Sequence, residues 1–172
     1  MMKAELLTLR IVHILGGIFW VGSLIFTTFF LAPAIRSSPA LAGQVMSGLQ
    51  KRRLFTLLPI VALLTIASGF RLLWIASAGF SGSYFATSTG RALGAGAVAA
   101  IIAFLLSVLV SRPGFVRVGQ LGASLAASPD EGARQRITAE MQRLSRRVAI
   151  ANAIVAVLLL STAVGMATAR YL

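Results

Sequence analysis

Residues 9–26 read LRIVHILGGIFWVGSLIF, an apolar run that nevertheless holds Arg10, the chain's single histidine at position 13, paired glycines at 16 and 17, and Trp20. The run is long enough for a bilayer-crossing helix, which needs about 20 mostly apolar residues. A charged or titratable side chain at membrane depth costs about 3 kcal/mol unless it is paired or faces a cavity. Such residues therefore point first to use. His13, Gly16, Gly17 and Trp20 stand at i, i+3, i+4 and i+7, so they form one stripe of a helix.

Working outward, the same composition recurs. The chain has 172 residues, 58% hydrophobic and 12% charged, with a mean hydropathy of +0.89. Soluble domains carry about 25% charged residues. The apolar residues gather in four blocks of spanning length, about 11–33, 54–76, 92–110 and 148–169. The expected fold is all-α, a single integral membrane domain of four transmembrane helices in a bundle. The first block is too long for a signal peptide's apolar core of about 7–15 residues.

The net charge of +12 comes from 16 Lys and Arg against 4 Asp and Glu. In a soluble protein this would suggest nucleic acid; here the basic residues flank the apolar blocks, where they meet lipid headgroups. No nucleic-acid partner is expected. The first and third connections carry eleven basic residues, among them Lys51, Arg52, Arg53, Arg112, Arg117, Arg146 and Arg147. The opposite side claims Lys3, Arg10, Arg71, Arg91 and Arg170. The positive-inside rule then places both termini outside, on the face opposite the cytoplasm. With no cysteine, disulfides and thiolate metal sites are excluded.

Both basic connections open with Ser-Pro and end in arginines against a span. Spans two and four are expected to begin as helices before the membrane, with Ser128 as cap, Pro129 at the first position and acids following. The shared pattern suggests two duplicated hairpins. Asp130, Glu131 and Glu140 fall among arginines, where salt bridges are expected rather than catalysis. Between spans two and three, Phe80, Tyr84 and Phe85 read as an interfacial aromatic anchor.

With this topology the outer half of the bundle gathers Arg10, Arg71, Arg91, His13 and Met166, with Glu5 as its only acid. Haem suits the set: His13 to iron, propionates to the arginines, the porphyrin against Gly16 and Gly17 beside Trp20. Copper on His13 and Met166 is the alternative, although it would meet net positive charge. A third reading has His13 hydrogen-bonded to a neighbouring helix, the glycines serving packing and the arginines snorkelling to headgroups. Ser161, Thr162, Gly165 and Ala169 form a small-residue stripe for close packing, within the bundle or in a homodimer.

HILGGIFWVGSLIF, followed by FLAPAIR, by ASGFRLLW in span two and by the terminal MATARYL, resembles the CopD-like and HemJ-like small bacterial membrane proteins. The resemblance implies a four-helix inner-membrane protein in which His13 and Trp20 take the positions of the family's histidine and tryptophan. HemJ-like members are associated with haem b and protoporphyrinogen oxidation, CopD proteins with copper. APAIR stands where a HemJ protein would carry LPRLF, and no second histidine accompanies His13. The readings carried forward are a haem-binding electron-transfer or porphyrin-redox protein, a copper-handling protein, and an accessory subunit with no cofactor.

Overall fold

The computed structural model describes residues 2–37, 39–128 and 130–171. They are all-helical, with no strand among them. The elements are α1 (Met2–Phe26), a π-helical turn (Thr27–Leu31), α2 (Ala32–Ser37), α3 (Pro39–Lys51), α4 (Leu54–Ala76), α5 (Gly82–Ala86), α6 (Ser88–Leu106), a second π turn (Ser107–Ser111), α7 (Arg112–Ala127) and α8 (Glu131–Thr168). Four helical stretches are long and apolar enough to cross a membrane: Lys3–Ala34, Leu54–Ala76, Ser88–Leu125 and Glu131–Thr168.

The bundle is a closed ring in which α1 packs on α4, α4 on α6, α6 on α8 and α8 on α1. Both hairpins are antiparallel. Going up α1, His13 lies over Gly69 and Gly16 against Thr65 and Val61. Going up α6, Thr89 reaches Ala169, Gly96 meets Thr162, and Ser111 bonds Asn152. The termini therefore lie at one end, and the basic connections at the other.

Burial is inverted relative to a water-soluble domain. The interior consists of small residues with a few larger ones: Ala62, Ala103, Val155, Ala156, Leu159 and Trp20, accompanied by Thr65, Ser68, Ser111, Asn152 and Thr162. The exterior carries Ile11, Ile14, Leu15, Ile18, Leu63, Leu64, Ile154, Val157 and Val164, all exposed. In lipid, helices gain little by hiding large apolar groups and associate through close approach and hydrogen bonds, so small residues belong inside.

The two π turns have one cause. The N–H of Ala32 bonds the carbonyl of Thr27, and that of Arg112 bonds Ser107, each five residues back. Pro33 and Pro113 follow directly. Proline has no N–H for the carbonyl four residues earlier, and its ring crowds that carbonyl. Widening the turn by one residue relieves the crowding while the helix continues. The second set lies 80 positions after the first, Thr27 to Ser107 and Pro33 to Pro113. The internal likeness of the hairpins is thus visible in backbone form.

Three expectations change in detail. Span four begins well before the membrane, as a single helix from Glu131 to Thr168, but span two does not. There the chain turns at Arg53, which sits in the left-handed region at φ 57, so α3 and α4 are separate. This lets α3 fold across the basic end and touch α7. At the start of α8 the cap is Asp130, whose carboxylate accepts from Ala133 N–H at 2.8 Å, rather than Ser128; Pro129 lies outside the described residues. The third connection, read as a loop before Ser128, is helical from Arg112 to Ala127. Its Gly114 allows the backbone to press on Val148 of α8, and Arg117 bonds Glu140 at 3.1 Å across the same seam.

Candidate functional site

His13 sits half-buried in the seam between α1 and α4. Its Nδ1 lies 2.8 Å from the backbone carbonyl of Thr65. A carbonyl only accepts, so Nδ1 carries the proton and Nε2 presents a lone pair. That lone pair has no hydrogen-bond partner among the described residues. Beneath the ring is Gly69: a Cβ built there would stand 2.6 Å from His13 Cε1. Glycine at 69 makes room for the imidazole.

Thr65 accounts for the paired glycines. Its hydroxyl donates to Val61 O at 2.8 Å, and a Cβ on Gly16 would strike that hydroxyl. One on Gly17 would touch the Thr65 methyl at 3.8 Å. The glycine face is therefore filled by α4 and is not open to a planar cofactor, contrary to the arrangement expected from sequence. Both glycines thus face Thr65 of α4.

Trp20 shares the stripe but serves another place. Seven residues of helix advance about 10 Å, which brings it into the core against Phe104, edge to face at 6.5 Å. Met166 reaches Gly96 on α6, whereas His13 rests on α4. The pair foreseen as copper ligands thus faces different neighbours. Among the described residues, no group of three or more His, Cys, Asp or Glu side chains could hold a metal ion.

The expected arginine cluster is only partly available to a ligand. Arg71 grips Glu5 through Nε at 2.9 Å and Nη2 at 2.7 Å, so the one acid at this end neutralises it. Arg10 and Arg91 are exposed and form no ion pair among the described residues. The side chain of Arg170 lies outside the described residues.

The aromatic loop closes the α4–α6 link. Ala78, Gly79 and Phe80 all have positive φ, at 50°, 85° and 63°. The reversal puts Phe80 against Trp74, edge to face at 5.0 Å, with Phe85 at 6.3 Å. Gly90 admits the Tyr84 carbonyl, so α5 lies directly on α6.

Sequence reasoning passed over the polar group at the other end of the bundle. Ser111 and Asn152 are both buried, and the Ser111 hydroxyl donates to Asn152 Oδ1 at 2.6 Å. The signal was present, because Asn152 is the chain's single asparagine and stands inside an apolar span. No protein-family model, curated protein or solved structure matches the chain.

Proposed function

We propose that this chain is a haem-b-binding electron-transfer protein of the bacterial inner membrane, with His13 Nε2 as the nitrogen offered to iron. The observation that carries this reading is the His13–Thr65 hydrogen bond. Ligating histidines characteristically donate their other ring N–H to a carbonyl or carboxylate, which fixes the tautomer and orients the ligating nitrogen. Here Nδ1–H is held by a backbone carbonyl and Nε2 is left free. Bound haem would supply one-electron chemistry.

This chain's own residues orient the imidazole through Thr65 and seat it over Gly69. Arg10 and Arg91 are available cations for propionates. Arg71 would first have to leave Glu5. The Gly16 face is taken by Thr65, so we assign it to helix packing. In the proposed orientation the basic end faces the cytoplasm, which places His13 near the periplasmic surface.

One other reading has a specific observation in its favour. The same bond, together with Gly69, would also suit a histidine that only locks α1 to α4. Expression with ample haem followed by optical spectroscopy separates the two. A Soret band that His13→Ala abolishes supports ligation. No band in the unmodified protein leaves the locking role.

A further inference from the structure

Between the two π turns, toward the basic end, the bundle holds a half-open cavity of about 80 Å³. Its walls are largely apolar, with Trp20, Phe55 and Phe104 among them, and its polar lining comes from Ser23, Thr27, Ser107, Ser111, Arg112 and Asn152. It is remote from the His13–Thr65 seam, and no residue of that seam lines it.

The polar end is built for an acceptor. Asn152 is 4% exposed, and its Oδ1 is occupied by the Ser111 hydroxyl. Its Nδ2 has no hydrogen-bond partner among the described residues and is not walled off from the cavity that Asn152 lines. An amide N–H that keeps access to a cavity is free to donate to an acceptor that enters it. The next donor is Arg112, which forms no ion pair among the described residues. The same end of the bundle carries Lys51, Arg52 and Arg53, all exposed, while Glu140 is engaged by Arg117. A cationic, donor-rich rim over an apolar interior selects an anion with an apolar body.

We propose that this cavity binds a small amphipathic carboxylate, its head on Arg112 and Asn152 and its apolar chain against Trp20 and Phe104. A free single-chain acid is the occupant to which the space of about 80 Å³ is matched, one short chain beside one charged head. π turns recur at functional sites because they free backbone groups and re-aim side chains. Here Thr27 belongs to one π turn and Ser107 and Ser111 to the other, and all three line the cavity. The assignment does not depend on haem.

Trp20 supplies the readout. The chain has two tryptophans, and the other, Trp74, is exposed. In a Trp74→Phe background in detergent, titration with ω-bromooctanoate should quench Trp20 emission saturably. Arg112→Gln removes one charge-assisted contact at an exposed position and should weaken binding about tenfold or more. The methyl ester should bind correspondingly more weakly. Ser107→Leu, which fills the cavity from one wall, should abolish saturation while the protein still elutes as a folded species. Linear quenching that is equal for acid and ester and unchanged in Arg112→Gln would mean simple partition into the micelle and would overturn the proposal. So would equal quenching by phospholipids with brominated chains, which would assign the space to lipid.

Discussion

The Thr65 carbonyl takes the Nδ1 proton of His13 at 2.8 Å while also accepting from the Ser68 hydroxyl at 3.0 Å. Loss of the imidazole therefore leaves this carbonyl partnered. His13→Ala should keep the bundle folded, since it removes a polar group from an apolar setting and installs a better helix former. It should also abolish haem retention, read as loss of the Soret band at unchanged far-ultraviolet helicity. Each chain has one histidine, so a bis-histidine spectrum would require two chains, and a His–Met spectrum would require Met166 or Met46 to move.

Gly16 and Gly96 occupy matching places in the two hairpins, yet their alanine variants should differ. At Gly16 the new methyl meets the Thr65 hydroxyl, which is tied to Val61. Overpacking of this kind costs about 1–3 kcal/mol. At Gly96 the nearest atom is the Thr162 methyl at 3.3 Å, with Met166 Cε at 3.8 Å. A small adjustment suffices there, and the helix gains up to about 1 kcal/mol in propensity. Thermal unfolding in detergent should show a clear fall for Gly16→Ala and little change for Gly96→Ala.

Thr28 Oγ1 is buried without a hydrogen-bond partner among the described residues. The position 80 residues later is Val108. Thr28→Val keeps the shape and removes the uncompensated hydroxyl, so it should stabilise the protein by about 1 kcal/mol. Chemical unfolding in mixed micelles would measure this. Destabilisation would show that the hydroxyl has a partner.

The ion pair of Arg71 and Glu5 is half exposed, at 50% and 41% of the side chains. Exposed pairs contribute about 0–1 kcal/mol. Glu5→Gln and Arg71→Ala should therefore each leave the melting temperature almost unchanged. If haem carboxylates use Arg71, Glu5→Gln should tighten haem retention while Arg71→Ala loosens it. Equal retention in both variants would remove Arg71 from the ligand site.

Orientation is testable because the chain lacks cysteine. Lys3 and Gln120 are exposed at opposite ends of the bundle. Lys3→Cys should label from the periplasm and Gln120→Cys from the cytoplasm. Labelling of both from one side would refute the proposed topology.

The membrane-length helices were legible because hydropathy and length alone specify them, and α4 occupies Leu54–Ala76, the block read from composition. The polar start of α8 was legible because RITAEMQRLSRRVAI contains no breaker. The π turns were not, since a proline at or just past the end of an apolar block reads as an ending. Only the equal spacing of Pro33 and Pro113 hints otherwise. The site at His13 was half legible. Its stripe faces the bundle interior, but a backbone carbonyl such as that of Thr65 leaves no mark in sequence. Gly69, and the pairing of Arg71 with Glu5, were hidden for a related reason: they depend on which residues of α1 lie opposite, and that register emerges only from packing.

The matched π turns also bear on history. Each amounts to one residue slipped into an otherwise regular helix, rotating everything beyond it by about 100° relative to what precedes. An extra residue of this kind is hard to acquire late, because it re-aims every downstream contact at once. If the hairpins descend from one ancestor, the insertion came first and the copying second. The ancestral unit was then a two-helix hairpin already bent at its proline, and His13 in one copy and Asn152 in the other are differences that arose after the copying.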